Sequence, residues 1–197
     1  MTQKKIHIDE RKLQHQYGYR FIKRLFDVVA SSVAVVILSP VFLIIAIAIK
    51  INDPAGPVFY TQTRVGKDGK PFKMFKFRSM VTNADELLEK LRDQNEVEGA
   101  MFKMKEDPRI TRVGKFIRKY SLDELPQLLN VVGGSMSIVG PRPPLPYEVK
   151  EYTDYDRQRL MVKPGATGMW QVGGRNALSF DQMVELDLTY INERSIW

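Results

Sequence analysis

Residues 28–49 form a run of 22 without one charged side chain, and 18 of them are apolar; the exceptions are Ser31, Ser32, Ser39 and Pro40. Wound as a helix at ~1.5 Å per residue, such a run is about 33 Å long, enough to cross the ~30 Å hydrocarbon core of a bilayer. The plain reading is one transmembrane helix. It is not a cleaved leader, because the run is too long, Lys50 follows it directly and no small-residue cleavage pattern appears. Ser39-Pro40 falls at its middle, where proline removes one backbone hydrogen bond and favours a bend. The Ser39 hydroxyl is placed to bond a carbonyl that the bend frees.

The charge around this run is uneven. Residues 1–27 hold seven Lys/Arg against three acids, residues 50–79 seven against two, and residues 80–197 sixteen against eighteen, so the net +7 sits in two blocks flanking the apolar segment. Positive residues mark the cytoplasmic side of a membrane helix, and positives at both ends fit a helix that enters, bends and returns to the same face. On composition alone, a kinked span and a re-entrant hairpin both stay open. Basic blocks beside an apolar run point to an anionic membrane surface rather than to nucleic acid, whose binding needs a basic stripe on the soluble part.

The 197 residues allow one domain or one domain with an appendage, and 44% hydrophobic with 27% charged residues supports a packed core. There is no cysteine, and the two histidines, His7 and His15, lie in the basic N-terminal stretch. That excludes disulfides, thiol nucleophiles and Cys-based metal sites, and disfavours a Ser-His-Asp triad. Chemistry falls to Asp, Glu, Lys, Tyr, Ser or Thr.

Residues 1–27 read as a basic N-terminal arm, either a surface arm or an amphipathic lead-in. Asp68-Gly69, between aromatic-rich runs at 58–61 and 72–77, predicts a β-hairpin. Asn83 opens a capped helix through Leu91. Residues 107–109 form a turn. Short helices are expected over 114–119 and 125–132, a polar helix over 152–161 and a last helix over 180–191. The prolines of 139–146 make a rigid extended loop, and turns surround Trp170.

Ser121-Leu122-Asp123-Glu124-Leu125-Pro126 puts adjacent carboxylates at an expected helix start. One reading is capping, since Ser121 and Glu124 match the S-x-x-E box. The other is catalytic. Adjacent helical residues point ~100° apart, so one carboxylate can attack phosphorus while the other holds a divalent metal or a partner cation. An anionic substrate then needs Mg²⁺ and Arg or Lys to offset repulsion. Arg118 and Lys119 lie just before. Arg142 sits between Pro141 and Pro143, either on a plain rigid loop or held for two-point phosphate recognition. Lys76 and Arg78 read equally as strand surface or phosphate contacts; Arg175 reads as a turn residue or a weaker contact.

Six motifs fall in order: Lys23-Arg24-x-x-Asp27, Ser39-Pro40, Lys76-Phe77-Arg78-Ser79-Met80, residues 121–128, Gly140-Pro141-Arg142-Pro143, and residues 163–168. Together they resemble the bacterial sugar transferases, the monotopic phosphoglycosyltransferases, over about residues 20–195. The resemblance implies transfer of a sugar-1-phosphate from a UDP-sugar to polyprenyl phosphate, such as undecaprenyl phosphate. UMP is released, Mg²⁺ is required, and the step initiates capsule, exopolysaccharide, O-antigen or glycoconjugate synthesis on the cytoplasmic face of the bacterial inner membrane. It implies a re-entrant helix broken at Ser39-Pro40 and a catalytic dyad at Asp123 and Glu124, with polyprenyl phosphate at Arg118 and phosphate at Arg142. Residues 170–176 and 179–181 look more like the glucose and galactose branch. Relatives continue past position 197 with a basic amphipathic tail, and larger ones carry an N-terminal four-helix membrane region that residues 1–20 are too short to supply.

The expectation is an α+β, mostly α fold with a re-entrant membrane helix at 28–49, interfacial amphipathic helices, a small β-hairpin and a catalytic domain over 50–197. A homodimer is compatible with it. The rival reading is a non-catalytic membrane scaffold of polysaccharide assembly, which would release no UMP and would have no reason to set a carboxylate dyad beside clamped arginines.

Overall fold

In the computed structural model the apolar run forms the middle of one long helix, and most of that helix is bare. The structure describes residues 6–84, 86–87, 107–173 and 178–195. Its helices are α1 (Glu10–His15), α2 (Tyr17–Asn52), α3 (Arg112–Lys119), α4 (Gln127–Gly133), α5 (Pro146–Lys150), α6 (Asp154–Arg157), α7 (Met169–Gly173) and α8 (Phe180–Glu193). The strands are β1 (Phe59–Val65), β2 (Pro71–Phe77), β3 (Ser137–Val139) and β4 (Gly165–Thr167). Helix α2 points Val29, Val33, Val36, Ile37, Leu43, Ile44, Ile47 and Ile51 outward. Only 11% of its most apolar stretch is buried, so protein does not take up this apolar surface as it would around the central helix of a soluble domain. The helix runs through Pro40 as one element, so Ser39-Pro40 holds no interrupting loop and is instead a point at which a helix can bend. A single proline costs one internal hydrogen bond, which 36 residues of otherwise helix-compatible sequence outlast.

The chain divides into two units: Met1–Ile37, Thr61–Phe75 and Gln127–Trp197 form the first, and Leu38–Tyr60 with Lys76–Pro126 the second. This division cuts across the sequence boundaries at 27/28 and 49/50, because α2 contributes to both units.

In the first unit, α8 starts at a capping box: Ser179 Oγ accepts from Gln182 N at 3.3 Å, and Ser179 N donates to Gln182 Oε1 at 2.8 Å. Val184, Leu188 and Ile191 recur on its buried face and pack with Val162. The N-terminal arm joins this core through Ile6, Ile8 and Leu13. Ile8 N donates to Gln158 Oε1 at 2.8 Å, tying its backbone down. Beside this core, Arg159 donates to Asp187 at 2.6 Å, with the rings of Tyr152 and Phe180 against its guanidinium. The polar helix expected over 152–161 is α6 followed by a 3₁₀ turn at Gln158–Met161.

Hairpin β1–β2 turns where the Asp-Gly signal placed it. Asp68 and Gly69 adopt φ of 58° and 75°, the positive values that a tight hairpin turn demands. A second sheet, parallel, pairs Ser137 with Gly165 and Val139 with Thr167. Two three-residue strands carry no readable alternation, and the region was expected as loop and turn. In the second unit, Ile45, Ile49, Phe77 and Ile117 form the core. Phe77 meets the Phe42 ring edge-on at 5.2 Å and stacks on Phe59 at 5.3 Å. Of the helix expected from Asn83 to Leu91, residues 84, 86 and 87 are helical after a turn at Asn83, and residues 85 and 88–91 lie outside the described residues.

Candidate active site

In the second unit, the segment after α3 brings two carboxylates and two cations together. Thr111 caps α3, its Oγ1 accepting from Gly114 N at 2.8 Å. Ile117 is buried, while Arg118 and Lys119 occupy the last turn, where cations offset the helix dipole. Ser121 then adopts φ 55°, a left-handed conformation uncommon for a residue with a Cβ. That turn ends α3 and starts a 3₁₀ turn at Leu122–Glu124. The capping box read from Ser121 and Glu124 is not formed, since Ser121 makes no side-chain cap bond. Nor does an α-helix begin at Asp123. Pro126 follows the 3₁₀ turn, and α4 begins only at Gln127.

This turn separates the two acids. Asp123 is 9% exposed. Glu124 reaches outward and accepts from Lys76 Nζ at 2.7 Å. Burial holds the Asp123 carboxyl above its ordinary value, while Lys76 pulls it down, the Glu124 charge adds to the rise, and Arg118 pulls it down again. The arrangement is a carboxylate out of water, made costly by burial and kept usable by two cations. Such a group can attack phosphorus once a phosphate shares the cations.

Arg78, expected as a phosphate contact or strand surface, is neither exposed nor free. It is 7% exposed, donates to Asp53 Oδ2 at 2.8 Å and also bonds the Asp53 carbonyl. Its place is that of a buried strut. A second strut was missed: Arg109 grips Asp107 through Nε at 2.9 Å and Nη2 at 2.7 Å, and that grip holds the Asp107 carboxyl below its usual value.

Arg142 lies in the first unit, on a loop fixed by its backbone. Gly165 N donates to Pro141 O at 2.8 Å, Val65 N to Pro144 O at 2.9 Å, and Arg64 to Pro143 O at 3.0 Å. Gly140 and Gly165 meet so closely that a Cβ on Gly165 would lie 2.1 Å from Gly140 N. The Arg142 side chain is exposed, with its guanidinium 5.7 Å from the Trp170 ring. Arg175 lies outside the described residues.

Sequence reasoning also missed the role of Lys23 and Asp27. Asp27 Oδ1 accepts from Lys23 at 2.8 Å and Ile138 N at 3.2 Å, while Oδ2 accepts from the Ser137 hydroxyl at 2.7 Å. The lone acid at the entry to an apolar run was the available signal. An uncompensated carboxylate there is costly, so a partner had to exist.

The sequence profile of the family described as bacterial sugar transferase matches residues 18–197. The chain is 48% identical over 182 residues to an undecaprenyl-phosphate galactose phosphotransferase of Salmonella typhimurium, covering 90% of this chain and 38% of that protein. It is 44% identical over 184 residues to a galactosyl transferase, CpsE, of Streptococcus agalactiae, covering 93% and 40%. An exopolysaccharide production protein, ExoY, of Rhizobium meliloti is 45% identical over 179 residues, covering 89% and 79%. The chain thus spans about two fifths of the first two relatives and most of the third.

Proposed function

The chain belongs to the bacterial sugar transferase family, and from that premise we propose that it transfers a sugar-1-phosphate from a UDP-sugar to undecaprenyl phosphate and releases UMP. The observation that carries the reading is Asp123, a carboxylate 9% exposed with Lys76 and Arg118 acting on it and Glu124 beside it. The Asp123 carboxylate attacks the sugar-bearing phosphorus, the bond to the UMP phosphate oxygen breaks, and UMP leaves as an anion. An oxygen of undecaprenyl phosphate then attacks the same phosphorus, and the acyl-phosphate bond breaks to return the Asp123 carboxylate. Lys76 and Arg118 offset the charge that gathers at the phosphates. Arg142, on its fixed loop, offers the two-point contact that a phosphate takes.

Mg²⁺ in phosphoryl-transfer sites is held by one or two carboxylates together with substrate phosphates; the outward-reaching Glu124 would supply one such carboxylate, with the buried Asp123 next to it in the chain as the other. When bound there, Mg²⁺ neutralises charge on the diphosphate.

The names of two of the relatives favour galactose as the sugar, and the resemblance of residues 170–176 and 179–181 keeps glucose beside it. We place the reaction at the cytoplasmic face of the inner membrane, with α2 re-entrant and α3 at the interface; the basic flanks of the apolar run and the exposed Phe116 and Tyr120 beside Lys119 support that. The chemistry is tested by incubating the protein with UDP-galactose or UDP-glucose and Mg²⁺. Without acceptor, about one UMP per site and a phosphosugar adduct on the Asp123 peptide are expected; undecaprenyl phosphate should restore turnover. UMP release only with both substrates present, and no adduct, would replace the covalent route with direct displacement. The topology is tested by cysteines at positions 5 and 68. Both should resist an impermeant thiol reagent in intact cells, and labelling of either means that α2 spans.

A further inference from the structure

The first unit holds a cavity of about 600 Å³ that the transferase chemistry above does not use. Six cationic side chains line it, Arg20, Lys23, Arg24, Lys67, Lys163 and Arg194, against three acids, Glu10, Asp27 and Asp68, for a local balance of 6 − 3 = +3. The acids neutralise the set only in part, leaving Arg20, Arg24, Lys163 and Arg194 against Glu10 once two pairs are drawn. Asp27 is committed to Lys23, Ser137 and Ile138 N, and Asp68 pairs at 3.6 Å with Lys67. Arg24 is held in place by the carbonyls of Val131 and Val132 at the end of α4, which orient its guanidinium without cancelling its charge. Lys163 registers the crowding: burial, then Arg24, then the opposing pull of Asp27, then Lys67 and Arg20 act on its ammonium, and the net effect is to push its pKa down. An assembly of like charges of this kind is stabilised by an anion that several of them share.

The cavity also has a direction. Arg20, Lys23, Arg24 and Asp27 recur at helical spacing on one face of α2. On the same two turns Phe21, Ile22, Leu25 and Phe26 are exposed at 71%, 47%, 55% and 62%. Eight residues past Arg20 the chain enters the uncharged run. A ligand that puts an anionic head among the cations therefore has apolar surface beside it for a tail, at the level where the helix meets lipid. Planar guanidinium groups together with an ammonium favour the several oxygens of a phosphate over a single carboxylate.

We propose that this cavity is a second phosphate-binding site, separate from Asp123, that takes the phosphate of an anionic bilayer phospholipid headgroup, the same chemistry being available from a soluble nucleotide. The lipid source rests on the reading of α2 as a membrane helix. The site itself does not rest on the transferase chemistry, since binding is measured without turnover.

The test is calorimetric titration of the full chain in nonionic detergent with three probes: dihexanoyl phosphatidylglycerol, dihexanoyl phosphatidylcholine and UDP. Phosphatidylglycerol should bind saturably, and phosphatidylcholine, whose ammonium cancels its phosphate, much more weakly. Arg20 and Lys163 are both exposed, so Arg20→Gln with Lys163→Gln should keep the fold. That double variant should weaken phosphatidylglycerol binding about tenfold or more, the loss of charge-assisted contacts, while Arg20→Lys alone recovers most of it. Asp123→Asn should bind as the wild type does. A nucleotide source is shown instead if UDP affinity falls in the double variant and is kept in Asp123→Asn. The proposal is overturned if neither probe's affinity changes in the double variant, or if phosphatidylglycerol binding is lost in Asp123→Asn.

Discussion

Each unit buries an aspartate where the chain changes character, and the two are treated in opposite ways. Asp27, 3% exposed in the first unit, accepts from three donors: an ammonium, a hydroxyl and a backbone amide. Asp123, 9% exposed in the second, has its carboxyl pushed up by burial more than Lys76 and Arg118 bring it down. The first carboxylate is satisfied and ties the entry of α2 to β3. The second is left costly. That contrast in burial and partners is what the proposed role of Asp123 as nucleophile builds on.

The comparison breaks hardest at Asp123. Asp123→Asn should abolish UMP release, with a loss beyond the ~10²–10⁴-fold typical of a general acid or base, while melting at higher temperature than wild type at pH 7. The sign follows from linkage. A raised pKa means the native state binds the proton more tightly, so this group's stability contribution is complete at low pH and lost as pH rises through the native pKa. At neutral pH the charged Asp123 therefore costs stability, which asparagine removes. Each 1 kcal/mol recovered is about 2–4 °C for a chain of this size. Differential scanning calorimetry should show the gap narrowing as pH falls through the raised native pKa and closed below ~4, the ordinary carboxylate value. A variant that melts lower than wild type at pH 7 would make Asp123 a structural acid.

Asp27→Ala should do the reverse. It leaves Lys23, the Ser137 hydroxyl and Ile138 N without their shared acceptor, at a cost of about 3–5 kcal/mol, read by denaturant unfolding. Activity per folded molecule should change little. A cost under ~1 kcal/mol would mean that Asp27 is as poorly served as Asp123. The smallest effect belongs to Lys76→Met. The Lys76–Glu124 pair is partly exposed, so the stability loss should stay below about 1 kcal/mol. Removing the charge that pulls the Asp123 carboxyl down should move the acid limb of the kcat profile to higher pH; an unmoved limb would detach Lys76 from Asp123.

Much of the fold was legible because local chemistry decides it. Asp68-Gly69 sets a hairpin by backbone sterics alone, and Ser179 with Gln182 starts α8 by hydrogen bonds within four residues. The features that escaped depend on partners far along the chain. The parallel pairing of β3 with β4 comes from two glycines that let distant backbones touch, and Ile6 and Ile8 enter a core whose other members lie past residue 150. At the candidate site, the sequence singled out Asp123 and Glu124 and expected an α-helix to present them, where the structure has a 3₁₀ turn. The left-handed Ser121, a serine where glycine would have advertised such a turn, puts one acid inside and the other out. Arg78 was legible as a cation and illegible as a strut, because Asp53 lies 25 residues away across the end of α2.

The interlocked glycines behind Arg142 have a practical consequence. What holds that loop is backbone volume and backbone hydrogen bonds, so the position is indifferent to the side chain it carries. The chain contains no cysteine, so a single one installed at 142 would be the sole thiol. A spin label or fluorophore there would ride on a stiff mount, its signal set by what approaches it and by little motion of its own.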